Sequence, residues 1–364
     1  MIFPNVAAMR ERTWKAKSGY TYGLHGTPTT FMLEERLCEL DGGKFAVLAP
    51  SGLAAIALVN MALLKPGDEV LLPDNVYVPN LSFARTELKN WGISHQLYAP
   101  SSTADLASKI NAQTRLVWIE AAGSITLEFP DLLGVTRLCR ERGITTALDH
   151  TWGAGVAYSP LHFDAGQGAD ISVHALTKYP SGGGDILMGS VVTSDEKLHH
   201  LIKGCHMRLG LGVGANDVEA VMRGLPSLHL RYAHQDESSR QLAHWCQAQP
   251  EFSAVFHPAL PESPGHRYWL DVCPNRLAAG LVTVALNADF DQPRTDKLCD
   301  DLQFFKLGYS WAGPISLVVP YEVAQLQTGR NMPSGCQYLL RFSVGLERVD
   351  DLISDLSAAL RASH

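Results

Sequence analysis

Short apolar segments alternate with helical segments between Lys44 and Thr193, and this alternation most constrains the fold of the 364-residue chain. It is typical of an α/β domain with a mainly parallel sheet flanked by helices. Ligands of such sheets bind at the carboxyl ends of the strands, so the residues that follow each apolar segment are candidates for function. The segments read KFAVLAP, DEVLLPD, TRLVWIE, ITTALDH, DISVHAL and GSVVTS.

The sequence predicts three parts, which are an N-terminal arm (1–40), a large α/β domain (41–225) and a smaller C-terminal α+β domain (226–364). The third part contains a helical segment over Leu228–Gln247, two strand-like segments (AGLVTVAL and YLLRFSVGL) and a closing helix over Val349–Leu360. A Pro- and Gly-rich connector, HPALPESPGH, separates the helical segment from the strands.

Composition excludes several classes of protein. A net charge of −7 argues against a nucleic-acid-binding protein, which relies on clustered Lys and Arg. Residues 45–64 carry no charge, but Pro50, Ser51 and Gly52 interrupt them, which indicates a strand, a turn and a helix rather than a membrane span. Seven scattered cysteines without a C-x-x-C pair indicate free thiols in a reducing compartment. With no signal-peptide pattern at the N-terminus, we expect a cytoplasmic protein without membrane or nucleic-acid partners.

Three positions that follow apolar segments are candidates for catalysis or cofactor binding. Asp149 ends ITTALD, and a buried acid needs a positive partner, which is either a salt-bridge or capping partner or a protonated ring nitrogen. Lys178 lies in LTKYPSGGGD, where confinement among apolar residues lowers an amine pKa and favours imine chemistry; the alternative is a solvated surface lysine. Ser51 and Gly52 lie at a strand-to-helix turn, whose free N–H groups suit a phosphate. A cofactor with an aldehyde, a pyridine nitrogen and a phosphate would use all three.

Other motifs are not supported by their context. GLGVGA matches the dinucleotide pattern G-x-G-x-x-A, but the preceding KGCHMRL does not resemble a buried strand. PSGGGD lacks the spacing of a nucleoside-triphosphate loop. The sequence contains neither H-E-x-x-H nor G-x-S-x-G, and its histidines show no metal-ligand spacing, so we expect no metal.

The sequence resembles the Cys/Met-metabolism family of pyridoxal-phosphate enzymes from about Tyr20 to Leu360. The resemblance implies the fold type I transferase-like architecture, in which the large domain binds pyridoxal 5′-phosphate and the arm forms an interface. It also implies a homodimer as the minimal active unit, pairing into a homotetramer. The motifs that carry it are YGLHGTPT, LEERLCELDGG, APSGLAAI, DNVYVPN, ALDHTWGAGV, ALTKYPSGGGD, MRGLPSLHLR, HPALPESPGH, YSWAGPISL and LRFSVGLERVDDLISDL.

The resemblance also implies roles for single residues. Lys178 matches the lysine that holds the cofactor as a Schiff base and serves as the general base. Asp149 matches the carboxylate that keeps the pyridine nitrogen protonated, and Tyr77 matches the aromatic residue that stacks on the ring. Arg341 matches the arginine that binds the substrate α-carboxylate. The other implied contacts are Gly52, Leu53 and Thr177 to the phosphate, Tyr22 to the phosphate across a dimer interface, and Ser310, Tyr309 and Trp311 to the substrate.

One departure from the family concerns the arm. The family's Tyr-x-Arg pattern supplies an arginine to the neighbouring subunit's phosphate, whereas Leu24 follows Tyr22 and Gly23 here. His25 is a candidate substitute. A second departure is Ile315, where many relatives carry a glutamate.

The resemblance implies a carbon–sulfur β-lyase of sulfur amino-acid metabolism that converts cystathionine or a related cysteine S-conjugate into a thiol, pyruvate and ammonia. The bulky aromatic residues of YSWAG, Tyr309 and Trp311, resemble those of β-acting members. A γ-acting synthase or lyase and a cysteine desulfhydrase remain alternatives, as does a non-catalytic protein of the same fold. The keto acid formed distinguishes the β-lyase from a γ-acting enzyme, since β-elimination gives pyruvate and γ-elimination gives 2-oxobutyrate.

Overall fold

A computed structural model of the protein describes residues 2–10, 19–327 and 330–363. It contains a seven-stranded sheet and a five-stranded sheet, each covered by helices. The helices are α1 (Val6–Arg10), α2 (Pro28–Asp41), α3 (Gly52–Leu63), α4 (Val78–Phe83), α5 (Thr103–Lys109), α6 (Leu132–Glu141), α7 (Glu196–Leu209), α8 (Ala215–Gly224), α9 (Leu228–Gln247), α10 (His266–Val272), α11 (Gln292–Asp300) and α12 (Val349–Ala362).

The larger sheet confirms the predicted α/β architecture. Its strands lie in the order β1-β7-β6-β5-β4-β2-β3, and β2 to β6 are mutually parallel, whereas β7 is antiparallel to both β1 and β6. The carboxyl ends of the parallel strands therefore lie at one edge. The strands are β1 (Phe45–Ala49), β2 (Glu69–Pro73), β3 (Ser94–Tyr98), β4 (Thr114–Glu120), β5 (Thr145–Asp149), β6 (Ile171–Ala175) and β7 (Gly189–Thr193).

The smaller sheet has the order β10-β11-β12-β9-β8 and is antiparallel apart from the β10–β11 pair. It carries one substrate-site candidate, Arg341, on its central strand β12. The domain boundaries at residues 40 and 225 stay predictions. The strands are β8 (Phe252–Phe256), β9 (Leu281–Leu286), β10 (Lys306–Leu307), β11 (Leu317–Glu322) and β12 (Tyr338–Ser343).

The uncharged stretch over residues 45–64 forms a strand, a turn and a helix, as predicted. Ser51 caps α3, because its Oγ accepts a hydrogen bond from the N–H of Ala54 at 3.0 Å. Gly52 is required for close packing, since a Cβ there would lie 2.7 Å from the Cβ of Ala175 at the end of β6. Within the described residues, none of the helices has the length and apolar character that crossing a bilayer requires.

The GLGVGA segment is preceded by α7 rather than by a strand, which agrees with the rejection of a dinucleotide site. The described residues hold no group of three or more His, Cys, Asp or Glu side chains arranged for a metal. The seven cysteines are free thiols.

Candidate active site

A cavity of about 630 Å³ opens at the carboxyl ends of β4, β5 and β6. Ten of the eleven predicted site residues line it, although they are spread over some 290 positions of the sequence. Its volume lies within the range of small-molecule sites, which is about 300–1,000 Å³. The ten are Gly52, Leu53, Tyr77, Asp149, Thr177, Lys178, Tyr309, Ser310, Trp311 and Arg341.

Lys178 lies in the turn that follows β6, and its amine is held inside this cavity. The Nζ atom donates a hydrogen bond to Ser310 Oγ at 2.7 Å and lies 5.3 Å from the centre of the Trp311 ring. Burial, with a further contribution from the positive charge of Arg341, lowers the pKa of Lys178 to about 8, whereas Asp149 opposes this shift. A much larger fraction of this amine than of an ordinary lysine is therefore neutral and nucleophilic near neutral pH.

Asp149 is the last residue of β5, and its carboxylate is anchored on one side only. Oδ1 accepts hydrogen bonds from the Thr151 hydroxyl at 2.6 Å and the Thr151 N–H at 3.1 Å. Among the described residues, Oδ2 has no hydrogen-bond partner and is available to a ligand. Burial raises the pKa of Asp149, and the Thr151 hydrogen bonds and the charge of Lys178 partly counter this effect. A cationic partner in the cavity would stabilise the ionised carboxylate.

The first turn of α3 provides an anion site beside these two residues. Gly52 and Leu53 line the cavity, and their N–H groups have no intrahelical acceptor because they belong to the first turn. Thr177 lies opposite and is fixed by Met188, whose N–H donates to Thr177 Oγ1 at 3.2 Å. A phosphate would find free backbone donors and the positive end of the helix dipole here.

Arg341 enters the cavity from the smaller sheet. The side chain is 5% exposed. Its Nη1 donates to the Ser124 carbonyl at 2.9 Å and its Nη2 to the Tyr309 carbonyl at 2.8 Å. Two of its five N–H donors are thereby used for positioning, which leaves others for a carboxylate.

Tyr77 precedes α4, with its ring at the cavity and 39% of the residue exposed. Tyr309 is 84% exposed at the rim, while Trp311 packs against Tyr179 with ring centres 5.7 Å apart. These aromatic residues form an apolar wall around the Lys178 amine.

Tyr22 is the one predicted site residue outside this cavity. It is 64% exposed and lines a separate cavity together with Leu24 and Lys203. Its predicted role is performed in the neighbouring subunit, so that role stays a prediction.

Sequence reasoning missed several cavity residues, of which the polar ones Glu120, Thr151 and Tyr321 contact or adjoin the predicted site residues. Glu120 ends the apolar segment TRLVWIE and so carries the same signal that identified Asp149, an acid at the end of a buried strand. Thr151 directly follows the Asp149-His150 pair and fixes the carboxylate. Tyr321 lies on β11, a strand that was not predicted, and its ring centre is 5.5 Å from the Arg341 guanidinium.

A second cavity of about 380 Å³ adjoins the first. Its described lining contains three carboxylates (Asp74, Asp296 and Glu322) and neither lysine nor arginine. Asp74 is paired with Arg330, whereas Asp296 and Glu322 have no ion-pair partner among the described residues. The residues common to both cavities are Val78, Ile125, Tyr309 and Tyr321.

The residues present fit pyridoxal 5′-phosphate. The cavity supplies an amine for an aldehyde, a free carboxylate oxygen for a ring nitrogen and a helix N-terminus for a phosphate. These groups converge on one space, and the Gly52 contact keeps α3 close to the end of β6.

Comparison with known proteins agrees with this geometry. A cystathionine beta-lyase of Haemophilus influenzae is 33% identical over 366 residues, covering 98% of this chain and 90% of that protein. A cystathionine gamma-synthase of Mycobacterium bovis is 31% identical over 348 residues, covering 94% of this chain and 87% of that protein.

The crystal structure of metB from Corynebacterium glutamicum superposes with a TM-score of 0.86 at 26% identity, covering 96% of this chain and 89% of that one. A family model described as Cys/Met metabolism PLP-dependent enzyme matches residues 3–361. The protein therefore belongs to the Cys/Met metabolism family of PLP-dependent enzymes.

Proposed function

We propose that the protein is a carbon–sulfur β-lyase that cleaves cystathionine or a related cysteine S-conjugate to a thiol, pyruvate and ammonia. The observation that carries the proposal is the convergence of Lys178, Asp149 and Arg341 on one cavity. The similarity to a cystathionine beta-lyase over 98% of the chain supports the same activity.

The substrate binds through its α-carboxylate, which Arg341 receives with the N–H donors not used by Ser124 and Tyr309. Because Arg341 is 5% exposed, this ion pair forms at a buried residue, where charge attraction is stronger than in water and gives both affinity and orientation. The α-carbon is thereby directed towards Lys178.

When bound, pyridoxal 5′-phosphate supplies covalent capture of the substrate amine and withdrawal of electrons from the α-carbon. Gly52 and Leu53 would hold its phosphate, Thr177 would add a hydroxyl, Tyr77 would lie against the ring, and Asp149 would serve the ring nitrogen as a carboxylate partner.

Lys178 acts as the general base at the α-carbon. Its lowered pKa leaves a neutral amine able to accept that proton, and Ser310 Oγ orients Nζ from 2.7 Å away. The carbon–sulfur bond then breaks at the β-carbon, and the sulfur leaves as a thiolate that takes up a proton. Tyr77 is the candidate proton carrier on the exposed side.

A γ-acting function is the second candidate, since a cystathionine gamma-synthase is 31% identical over 94% of the chain. The bulky aromatic residues beside Lys178, with Nζ 5.3 Å from the centre of the Trp311 ring, resemble those of β-acting members and support the β-reaction. Purified protein should be assayed with cystathionine, cystine, cysteine and homocysteine, and each keto acid identified. Pyruvate supports the proposal and 2-oxobutyrate supports the alternative. A protein that binds the cofactor but forms no keto acid would favour a non-catalytic role.

We also propose that two chains build each site and that Tyr22 contacts the partner's phosphate. The supporting observation is that Tyr22 is 64% exposed and absent from the Lys178 cavity of its own chain. Lys178→Ala and Tyr22→Ala variants can be mixed after mild dissociation. Mixed dimers should regain activity, because one of their two sites contains neither substitution. No recovery in verified mixed dimers would contradict the shared site. The homotetramer and the cytoplasmic location stay predictions.

A further inference from the structure

Glu120 is a buried carboxyl group in the active-site cavity to which no role has been given. It ends β4 and is 6% exposed. In the register of the sheet it pairs with Asp149, the last residue of β5. Paired residues of neighbouring parallel strands direct their side chains to the same face, so the two carboxyl groups lie side by side.

The carboxyl group of Glu120 fixes the backbone that presents Tyr77. Oε2 accepts the Tyr77 N–H at 2.6 Å, a contact between residues 43 positions apart. Tyr77 precedes α4, which begins without a side-chain cap. Glu120 therefore supplies the acceptor at the start of this short helix and fixes the direction in which the Tyr77 ring leaves the backbone.

The same carboxyl group is connected to the substrate clamp. Ser124 adjoins Glu120 in the cavity, and its hydroxyl and N–H lower the pKa of the Glu120 carboxyl group. The Ser124 carbonyl in turn accepts the bond from Arg341 Nη1 at 2.9 Å. Glu120 thus holds the Tyr77 backbone directly and adjoins Ser124, whose carbonyl holds Arg341.

We propose that Glu120 is a positioning residue that fixes the Tyr77 ring against the cofactor and, through Ser124, the Arg341 guanidinium against the substrate. The inference rests on the proposed function, since it assigns Glu120 to the same site. Glu120 acts through its neighbours and takes no part in bond making or breaking.

The electrostatics indicate that hydrogen bonding, rather than charge, is what Glu120 contributes. Burial raises the pKa of Glu120, and the adjacent Asp149 raises it further. A neutral carboxyl group beside Asp149 avoids a second negative charge while it keeps its acceptor oxygens. Glutamine, which is neutral and of the same shape, should therefore replace it well.

The test compares Glu120→Gln with Glu120→Met, which keeps the side-chain length but lacks the acceptors. We expect Glu120→Met to lower kcat/KM about ten- to a hundredfold, as for loss of a hydrogen bond to a buried group. The circular dichroism of the bound cofactor's visible band should also weaken. Glu120→Gln should stay within about threefold of the wild type in kcat/KM.

A matched control is Glu69→Met. Glu69 is also 6% exposed and accepts hydrogen bonds from Gln96 and Asn111, but it lies at the start of β2, far from the cavity. The Glu69→Met variant should lower the melting temperature without altering the cofactor band. Wild-type kcat/KM and dichroism in Glu120→Met would overturn the proposal, and so would a Glu120→Gln variant as impaired as Glu120→Met.

A double-mutant cycle with Tyr77→Ala tests the route of action. If Glu120 acts through Tyr77, the loss caused by Glu120→Met should be much smaller when Tyr77 is already alanine. If the two substitutions instead lower kcat/KM by independent factors that multiply in the double variant, the route through Tyr77 would be overturned.

If Glu120→Met fails to fold, Ser124→Ala tests the same network with every carboxyl group in place. It should raise KM about two- to fivefold at an unchanged melting temperature; unchanged KM and dichroism would overturn the proposal. The dichroism needs only bound cofactor, so it tests the role of Glu120 even if no β-lyase activity is found.

Discussion

The amine of Lys178 should capture the cofactor at a pH far below that expected for an ordinary lysine. Burial and Arg341 lower its pKa from 10.5 to about 8. At pH 7 about one molecule in eleven then has a neutral amine, compared with about one in three thousand at the ordinary pKa. The reactive fraction is thus about 300-fold higher, and this factor is the predicted gain in the rate of cofactor loading.

The assay follows the visible absorbance as apoprotein combines with pyridoxal 5′-phosphate between pH 6 and 10. Each rate is divided by the rate of a small lysine derivative at the same pH, after the derivative's rate has been corrected for the titration of its own amine. The ratio is then free of the effect of the cofactor's ionisations. The protein's rate should rise about tenfold per pH unit and level off near pH 8. Lys178→Ala should develop no band.

Two variants test the cause of the shift. Arg341→Met removes the second contribution to the lowered pKa, so the plateau should shift upwards in pH. Arg137→Met, which breaks an exposed ion pair with Asp164, should leave the plateau unchanged. A rate that keeps rising up to pH 10 in the wild type would refute the reasoning, because the amine would then titrate like one in water.

Four further predictions concern other residues. Asp149→Asn should retain the cofactor but lose turnover by orders of magnitude, because a neutral amide does not stabilise a protonated ring nitrogen. Titration with the cofactor checks binding, and steady-state assays check turnover. Arg341→Lys keeps the charge but not the planar guanidinium that donates two hydrogen bonds to a carboxylate, so KM should rise about ten- to a hundredfold with a smaller change in kcat. Because Glu322 and Asp296 line the adjoining cavity, S-(2-aminoethyl)cysteine should be preferred over S-(carboxymethyl)cysteine, and Glu322→Gln should reduce this preference about two- to fivefold in kcat/KM. Burial raises the pKa of Asp41 from 3.8 to about 7, so its contribution to stability is present below pH 4 and lost as the pH rises through 7; Asp41→Asn should therefore raise the melting temperature more at pH 8 than at pH 5, and an equal gain at both would contradict the shift.

The larger sheet was predictable from sequence because its strands are short apolar segments bounded by turn residues. Six of the seven strands match predicted segments, and Leu228–Gln247 forms a helix with the predicted bounds. β3 was missed because its sequence, SHQLY, is polar and its strand lies at the edge of the sheet with a partly exposed face. β11 was missed because Pro320 interrupts its apolar pattern.

The site was predictable where its residues follow strands, and less so where long-range packing decides. Asp149 and Lys178 are marked by the apolar segments before them. Resemblance rather than pattern identified Arg341, since an arginine within a strand is not distinctive on its own. The contact between Glu120 and Tyr77 joins the end of β4 to the residue before α4, 43 positions away, which a single sequence does not reveal. The adjoining cavity with Glu322 arises from the packing of the smaller sheet against the larger one.

The two sheets contribute different parts of the site. The larger sheet and α3 provide Lys178, Asp149 and the phosphate turn, whereas the segment from 309 to 341 provides Tyr309, Trp311 and Arg341. On the proposed roles, the residues that bind the cofactor and those that select the substrate can therefore change independently in evolution. Substitutions within some thirty residues of the C-terminal part could redirect the enzyme to a different amino acid while its cofactor grip stays intact. A family built in this way can diversify into lyases and synthases without passing through ancestors that had lost their cofactor.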